Sequence, residues 1–244
     1  MKKPETAVIL AAGMGSRLGE SFSGKPKGFI EIGGMSLVGR SLNVLKRTGI
    51  DRIVIGTGHQ SQAYEILSQE CGAVCVFNAR YSETGSMCTL WNMRYDINGP
   101  FLLLESDLLY HPSAIGMLLA DERANVVLAS GPTFSGDEVF IGYNREGLLL
   151  NLSKDRSVVS GSDTELVGIS KISMPLFKQM CRFFETSVSQ RPRLEYEEAL
   201  VDAARTLPIY IRKAEELVWC EIDDPVHLKR AQEVIWPKIR MDVR

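Results

Sequence analysis

Ala7-Val8-Ile9-Leu10-Ala11-Ala12-Gly13-Met14-Gly15-Ser16-Arg17-Leu18-Gly19 runs an apolar stretch straight into small residues and then a cation. Residues 7–11 are apolar without alternation, which reads as a strand buried on both faces. Just beyond it, alanine and glycine let the main chain approach a ligand, and backbone N–H groups there can bind phosphate. Two common phosphate loops fail on spacing. Gly-x-x-x-x-Gly-Lys-Ser/Thr is absent. Gly-x-Gly-x-x-Gly would place Leu18 at its third glycine, with Gly19 one residue late, which disfavours a dinucleotide oxidoreductase. What remains is a glycine loop carrying Arg17 and followed by Lys25-Pro26-Lys27-Gly28. Arginine can clamp phosphate oxygens bidentately and lysine acts as a point charge, so the cluster suits a polyphosphate. By composition alone, a strand-to-helix turn with solvated lysines is an equal alternative.

Working outward, strand and helix patterns alternate. The pattern predicts a helix over 35–49, a strand over 52–56, a helix over 60–70 and a strand over 73–77. A helix follows over 86–95, with Ser86 a candidate N-cap. A buried strand over 101–104 then ends in Glu105-Ser106-Asp107, followed by a helix over 112–121 and a strand over 125–129. Such alternation implies a mostly parallel sheet covered by helices. The second half differs, with short strands over 138–143, 147–152 and 165–172 that read as an antiparallel patch. Helices over 174–188 and 195–206 and strands over 208–212 and 218–222 come next. Asp224-Pro225 opens the last helix, with Leu228, Ala231 and Ile235 on its apolar face. The expected organisation is one α/β domain over 1–244, with a nucleotide-binding half (1–130) and an acceptor-binding half (131–244).

The chain has 244 residues, 45% hydrophobic and 24% charged, with net charge −2. That near-balance argues against general nucleic-acid or membrane-surface binding. Cys71, Cys75, Cys88, Cys181 and Cys220 show no Cys-x-x-Cys pair and read as free thiols of a reducing cytosol. The apolar run over 7–15 is far short of the ~20 residues a membrane span needs. Met1-Lys2-Lys3 before it mimics a signal peptide, but Glu5 interrupts the basic region. The expectation is a cytoplasmic protein.

Leu10-Ala11-Ala12-Gly13-x-Gly15-x-Arg17-Leu18, with Pro26-Lys27 further on, resembles the signature of nucleotidyltransferases that pass NMP from an NTP to a small phosphorylated substrate. Val76-Phe77-Asn78-x-x-Tyr81, Ser106-Asp107 and Trp219-x-Glu221-Ile222-Asp223 resemble the CTP-using phosphocholine and 2-aminoethylphosphonate cytidylyltransferases, so the likeness spans nearly the whole chain. It implies a Rossmann-like (GT-A-type) α/β sheet, mostly parallel, with helices on both faces and a small antiparallel substrate-shaping portion. It implies CTP and a small phosphonate or phosphoalcohol as substrates, with pyrophosphate released. It gives Arg17 and Lys27 the catalytic roles, and Leu10, Ala11, Ala12, Gly13, Gly15 and Ser106 the nucleotide. Thr84, Gly85 and Ser86 would hold the base, and Lys25 would add charge.

It also makes Asp107 and Asp223 the ligands of a Mg²⁺ ion. Asp107 follows the C-terminal end of a buried strand, where ligands bind in open α/β sheets. Asp223 ends another strand 116 residues later. Hard carboxylate oxygens suit Mg²⁺. Asp107 has the alternative of a solvated strand end, and Asp223 that of a helix N-cap. The nucleophile would be an anionic phosphate or phosphonate oxygen that needs no general base. His59, His111 and His227 accordingly read as surface or helix-cap residues. Lys154 and Lys171 are candidates for the acceptor phosphate, and Tyr196, Glu197, Trp219 and Glu221 for an ammonium group. Val139, Lys171 and Ile172 stand where the phosphocholine enzymes would put part of an aromatic cage, which favours a primary amine. Two readings stay open: another NTP with a sugar phosphate or molybdenum-cofactor precursor, and a non-catalytic nucleotide-binding regulator.

Overall fold

The structure is a computed structural model that describes residues 3–18, 25–159 and 162–242. Along the chain come β1 (Thr6–Ala11), a small hairpin of β2 (Glu31–Ile32) and β3 (Met35–Ser36), then α1 (Leu37–Arg47), β4 (Arg52–Thr57), α2 (Ser61–Cys71), β5 (Val74–Phe77) and α3 (Ser86–Asn92). Next are β6 (Phe101–Glu105), β7 (Leu108–Tyr110), α4 (Ser113–Ala120), β8 (Val126–Ser130), β9 (Phe140–Tyr143), β10 (Leu149–Ser153) and β11 (Glu165–Ile172). The chain closes with α5 (Met174–Ser187), α6 (Tyr196–Ala204), β12 (Tyr210–Lys213), β13 (Trp219–Glu221), α7 (Pro225–Arg230) and α8 (Trp236–Asp242), the last two joined through a π-helical turn.

One large sheet runs in the order β10-β9-β11-β6-β1-β4-β5, with β8 paired to β11 and to β12. The pairs β6–β1, β1–β4, β4–β5 and β8–β12 are parallel; those that join β11 to β6, β8 and β9 are antiparallel. Both halves of the chain therefore share a sheet. Residues of β1 alternate between two cores. Val8 and Leu10 face α3, α5 and α6, whereas Ala7 and Ile9 face α1 and α4. With both faces covered, an unbroken apolar run is what the strand requires.

Two local readings change. The helix expected over 35–49 yields its first residues to β3, and Ser36 caps α1 by accepting from Gly39 N at 3.2 Å. Ser86 is not the N-cap of α3, since Gly85 holds that position. Strand β7 has no counterpart among the predicted strands; at three residues it is too short to show a period. All five cysteines are free. Among the described residues, no helix is long and apolar enough to cross a membrane.

Candidate active site

The glycine loop leaves the C-terminal end of β1, where Gly15 adopts φ +62° and Leu18 N donates to Gly15 O at 3.2 Å. That positive φ suits glycine, and the space matters too: a Cβ on Gly15 would lie 3.2 Å from Lys27 Cγ. Ser106 N donates to Leu10 O at 3.1 Å, tying the end of β6 to the same loop.

A short antiparallel ribbon brings the two aspartates together. In β7–β13, Leu108 pairs with Glu221, so the residues before one and after the other share an end. Ile222 N donates to Asp107 O at 3.1 Å there. Asp224, not Asp223, caps α7, accepting from Val226 N at 2.7 Å and His227 N at 2.8 Å. Asp223 is thus released from capping. Lys27 Nζ lies 3.1 Å from Asp107 Oδ2 and also bonds Asp223 Oδ1, so both carboxylates converge on one cation. Arg17 pairs with Asp137 at 2.6 Å, and its Nη2 is 3.0 Å from Asp223 Oδ2. That second contact is close but not aligned, which leaves Asp223 Oδ2 buried without a directed hydrogen bond. Burial pulls the Lys27 ammonium toward neutrality, but the charges of Asp107 and Asp223 more than offset it and raise its pKa.

A cleft of ≈ 380 Å³ opens over this floor. Leu10, Ala11, Ala12, Gly13, Gly15, Arg17, Lys27, Thr84, Gly85, Ser86, Ser106, Asp107, Tyr196, Glu197 and Glu221 all line it. Lys25 is exposed and does not. Residues 84–86 are held from behind by buried Asn78, whose Nδ2 donates to Thr84 Oγ1 (3.1 Å) and Thr89 Oγ1 (3.0 Å). The Ser86 hydroxyl accepts from Tyr196 N at 2.9 Å, and Ser86 N donates to the Glu195 carboxylate at 2.8 Å. The start of α6 thereby takes over the work expected of a serine cap.

Behind the cleft lies a second cavity of ≈ 110 Å³, lined by Lys154, Trp219, Asp223, Val139, Glu165 and His227 among others. Glu105, Glu197, Glu221 and Arg17 border both spaces. Lys154 pairs with Asp137, the same carboxylate that holds Arg17. Burial disfavours the Asp137 charge, but its bonds to Lys154 and Arg17 override that and hold its pKa far below the ordinary range. Trp219 Nε1 and Glu197 Oε2 are buried without partners. The Tyr196 hydroxyl donates to Glu105 Oε1 at 2.5 Å.

Lys171 is a correction. It lies buried on β11, donates to Asp121 O and borders neither space. The antiparallel pairing explains this: Lys171 sits opposite Leu102, while the site is at the Glu105 end of β6. It is Gly168 of the same strand that reaches the cavity. It has φ +78°, and a Cβ there would be 3.0 Å from the Glu105 carboxylate. His227 is also buried rather than at the surface. Its Nε2 is 3.1 Å from Ser135 O and its Nδ1 is 3.4 Å from Asp223 N.

Sequence reading missed Glu105, Asp137, Glu165 and His227 as cavity residues. Glu105 left a signal, a carboxylate closing an apolar strand. Asp137 left none, because it sits in an aperiodic loop.

Glu105, Asp107 and Glu221 bring one carboxylate oxygen each to within 4.8 Å of one another. Burial, then the Asp107 charge, pushes the Glu105 pKa up to about 7. Burial, then Asp107, Glu105 and Asp223, pushes Glu221 up to about 10. Burial, then Glu105, pushes Glu197 up to about 8. An oxygen-only donor set, with the buried Asp223 Oδ2 beside it, fits a hard divalent cation such as Mg²⁺. Raised carboxyl values also set a sign for stability. The folded chain holds protons that the unfolded chain releases near the ordinary value of 4.5, so this stabilisation is complete below it and is lost as pH rises through about 7 to about 10. The melting temperature of the ligand-free protein should therefore fall between pH 5 and 9. A flat or rising curve would contradict the raised values.

The MobA-like NTP transferase domain matches residues 7–161, more than half of the chain. The chain belongs to this family. It is an NTP transferase with the α/β fold that the glycine loop implied. Among its relatives is the CMP-5'-(3-aminopropyl)phosphonate synthase of Streptomyces rubellomurinus, 29% identical over 66% of this chain but only 26% of that longer protein. The 2-aminoethylphosphonate cytidylyltransferase of Lancefieldella rimae is 26% identical over 89% of this chain and 87% of its own. The CTP:phosphocholine cytidylyltransferase from Streptococcus pneumoniae shares the fold, with TM-score 0.81 and 20% identity over 96% of this chain and 99% of that one.

Proposed function

We propose that this NTP transferase moves CMP from CTP to a small phosphonate or phosphoalcohol that carries a primary amine, of the 2-aminoethylphosphonate class, and releases pyrophosphate. The observation that carries the reading is the make-up of the inner cavity. Its walls bear Glu105, Glu165, Glu197 and Glu221 together with Arg17 and Lys154, the two cations that share Asp137, and Trp219 is its one Trp, Tyr or Phe among the described residues. Carboxylates accept the hydrogen bonds of a primary ammonium, whereas a quaternary ammonium offers none and calls for several aromatic faces. The cations match the acidic end of such a zwitterion. Two relatives named for aminoalkylphosphonates support the choice.

In this reading the 1–130 half holds the nucleotide and the 131–244 half the acceptor, in one domain. A phosphonate oxygen, already anionic, attacks the α-phosphorus of CTP. The new P–O bond forms as the bond to the β-phosphate oxygen breaks, and pyrophosphate departs with both electrons of that bond. Lys27, kept protonated by its two aspartates, and Arg17 meet the growing negative charge. Asp107 and Asp223 would hold a Mg²⁺ ion, with Glu105 and Glu221 beside them. Bound there, the ion would supply charge neutralisation on the triphosphate. No side chain need move a proton.

The test is a matrix of four NTPs against 2-aminoethylphosphonate, phosphocholine and sugar 1-phosphates, scored by pyrophosphate release with Mg²⁺. CTP with 2-aminoethylphosphonate should give the highest kcat/KM. A preference for phosphocholine would overturn the ammonium assignment. A preference for a sugar phosphate, or no pyrophosphate with any pair, would overturn the whole reading.

A further inference from the structure

A separate hollow of ≈ 450 Å³ lies between α1, the end of β7 and α8. None of its lining residues borders the cleft or the cavity behind it. Its walls are largely apolar, with Met35, Val44, Pro112 and Ile239 beside the Trp236 ring. Its charges are all positive: Arg40, Arg47 and Arg240 line it, and no carboxylate does. Arg47 and Arg240 are exposed and, among the described residues, form no ion pair. The Arg40 guanidinium stacks 4.1 Å over the Trp236 ring and donates through Nη2 to Ile32 O at 2.7 Å.

The wall also holds unsatisfied nitrogens, one of them a guanidinium donor. Arg40 Nε is buried without a partner. His111, which also borders a neighbouring hollow bearing Glu215 and Glu216, has its Nδ1 2.7 Å from Ser113 Oγ and 3.3 Å from Ser113 N. Its Nε2 is buried without a partner too. Burial lowers the Arg40 pKa with no facing anion to restore it. A buried donor left without an acceptor is costly, and an anionic oxygen meets both the Arg40 donor and the charge.

We propose that this hollow is a second binding site, for a small organic anion with an apolar body and a carboxylate, sulfonate or phosphate head. Its volume is in the range of small-molecule sites. The apolar wall takes the body, and Arg47 and Arg240 at the rim attract the head. The proposal stands apart from the cytidylyl-transfer reading, since it uses none of those residues.

The probe is 8-anilino-1-naphthalenesulfonate, an aromatic sulfonate, titrated by fluorescence into the full chain with and without saturating CTP. The expected result is one saturable site that CTP does not displace. In the variant R47Q/R240Q, which alters only exposed side chains, binding should weaken roughly tenfold, with turnover unchanged. The uncharged N-phenyl-1-naphthylamine should bind far more weakly than the sulfonate. Equal affinity in the double variant, displacement by CTP, or equal binding of the neutral analogue would each overturn the proposal. So would sedimentation showing a dimer that the double variant dissociates, because the occupant would then be a second copy of the chain.

Discussion

Lys27→Met should slow turnover by about 10²–10³-fold, the usual cost of removing one fixed donor at developing charge, and should bind Mg²⁺ more tightly than the native chain. The two effects share a cause. In the ligand-free protein the Lys27 ammonium is the cation that Asp107 and Asp223 share. Removing it leaves both carboxylates facing each other, so a divalent ion meets less competition and gains more. The ligand-free variant should also be less stable. The loss should stay under the ~3–5 kcal/mol of a broken, fully buried pair, because Asp107 keeps some solvent contact and Arg17 still faces Asp223. Melting temperature against Mg²⁺ concentration, with kcat on the same samples, checks both halves. Weaker Mg²⁺ binding in the variant would show that Lys27 does not compete for the ion. Near-native turnover would remove it from the chemistry.

Asp107→Asn should cost about 10³-fold in turnover with the fold retained. The change is nearly isosteric, and the backbone contacts at Asp107 O and Ser106 N remain available. The substitution has a second readout. The Asp107 charge is among the causes that raise the pKa of Glu105 and of Glu221. Without it both values fall toward the ordinary range, and between pH 5 and 9 the folded protein holds fewer protons in excess of the unfolded chain. The decline of melting temperature with pH should therefore be shallower than in the native chain. A variant that loses activity but keeps the native slope would break the electrostatic link between Asp107 and the inner cavity.

Much of the fold was legible because buried strands announce themselves. The runs at 7–11, 52–56 and 101–104 lie in a sheet covered on both faces, so they are apolar without interruption. What was illegible depended on register. Lys171 looked like a site residue because it is a cation near a strand end, yet antiparallel pairing sets it opposite Leu102, away from the Glu105 end of β6. Ser86 has the chemistry of a cap, but its own backbone N–H donates to Glu195, 109 residues away, and its hydroxyl accepts from Tyr196 N. Asp107 and Asp223 were named by family likeness, whereas their meeting depends on β7, which is too short to be seen in the sequence. Asp137 and His227 enter the cavity wall through loop and helix-end contacts that no periodicity encodes.

The β7–β13 ribbon also orders events in time. A nascent polypeptide leaves the ribosome with its glycine loop, Lys27 and Asp107 long before residues 219–223 exist, because the second acid is encoded 116 positions downstream of the first. Until those last residues emerge, the ammonium has a single acidic neighbour and the inner cavity lacks a wall. Competence for catalysis is therefore conferred late in synthesis, by three residues zipping onto a strand made many codons earlier.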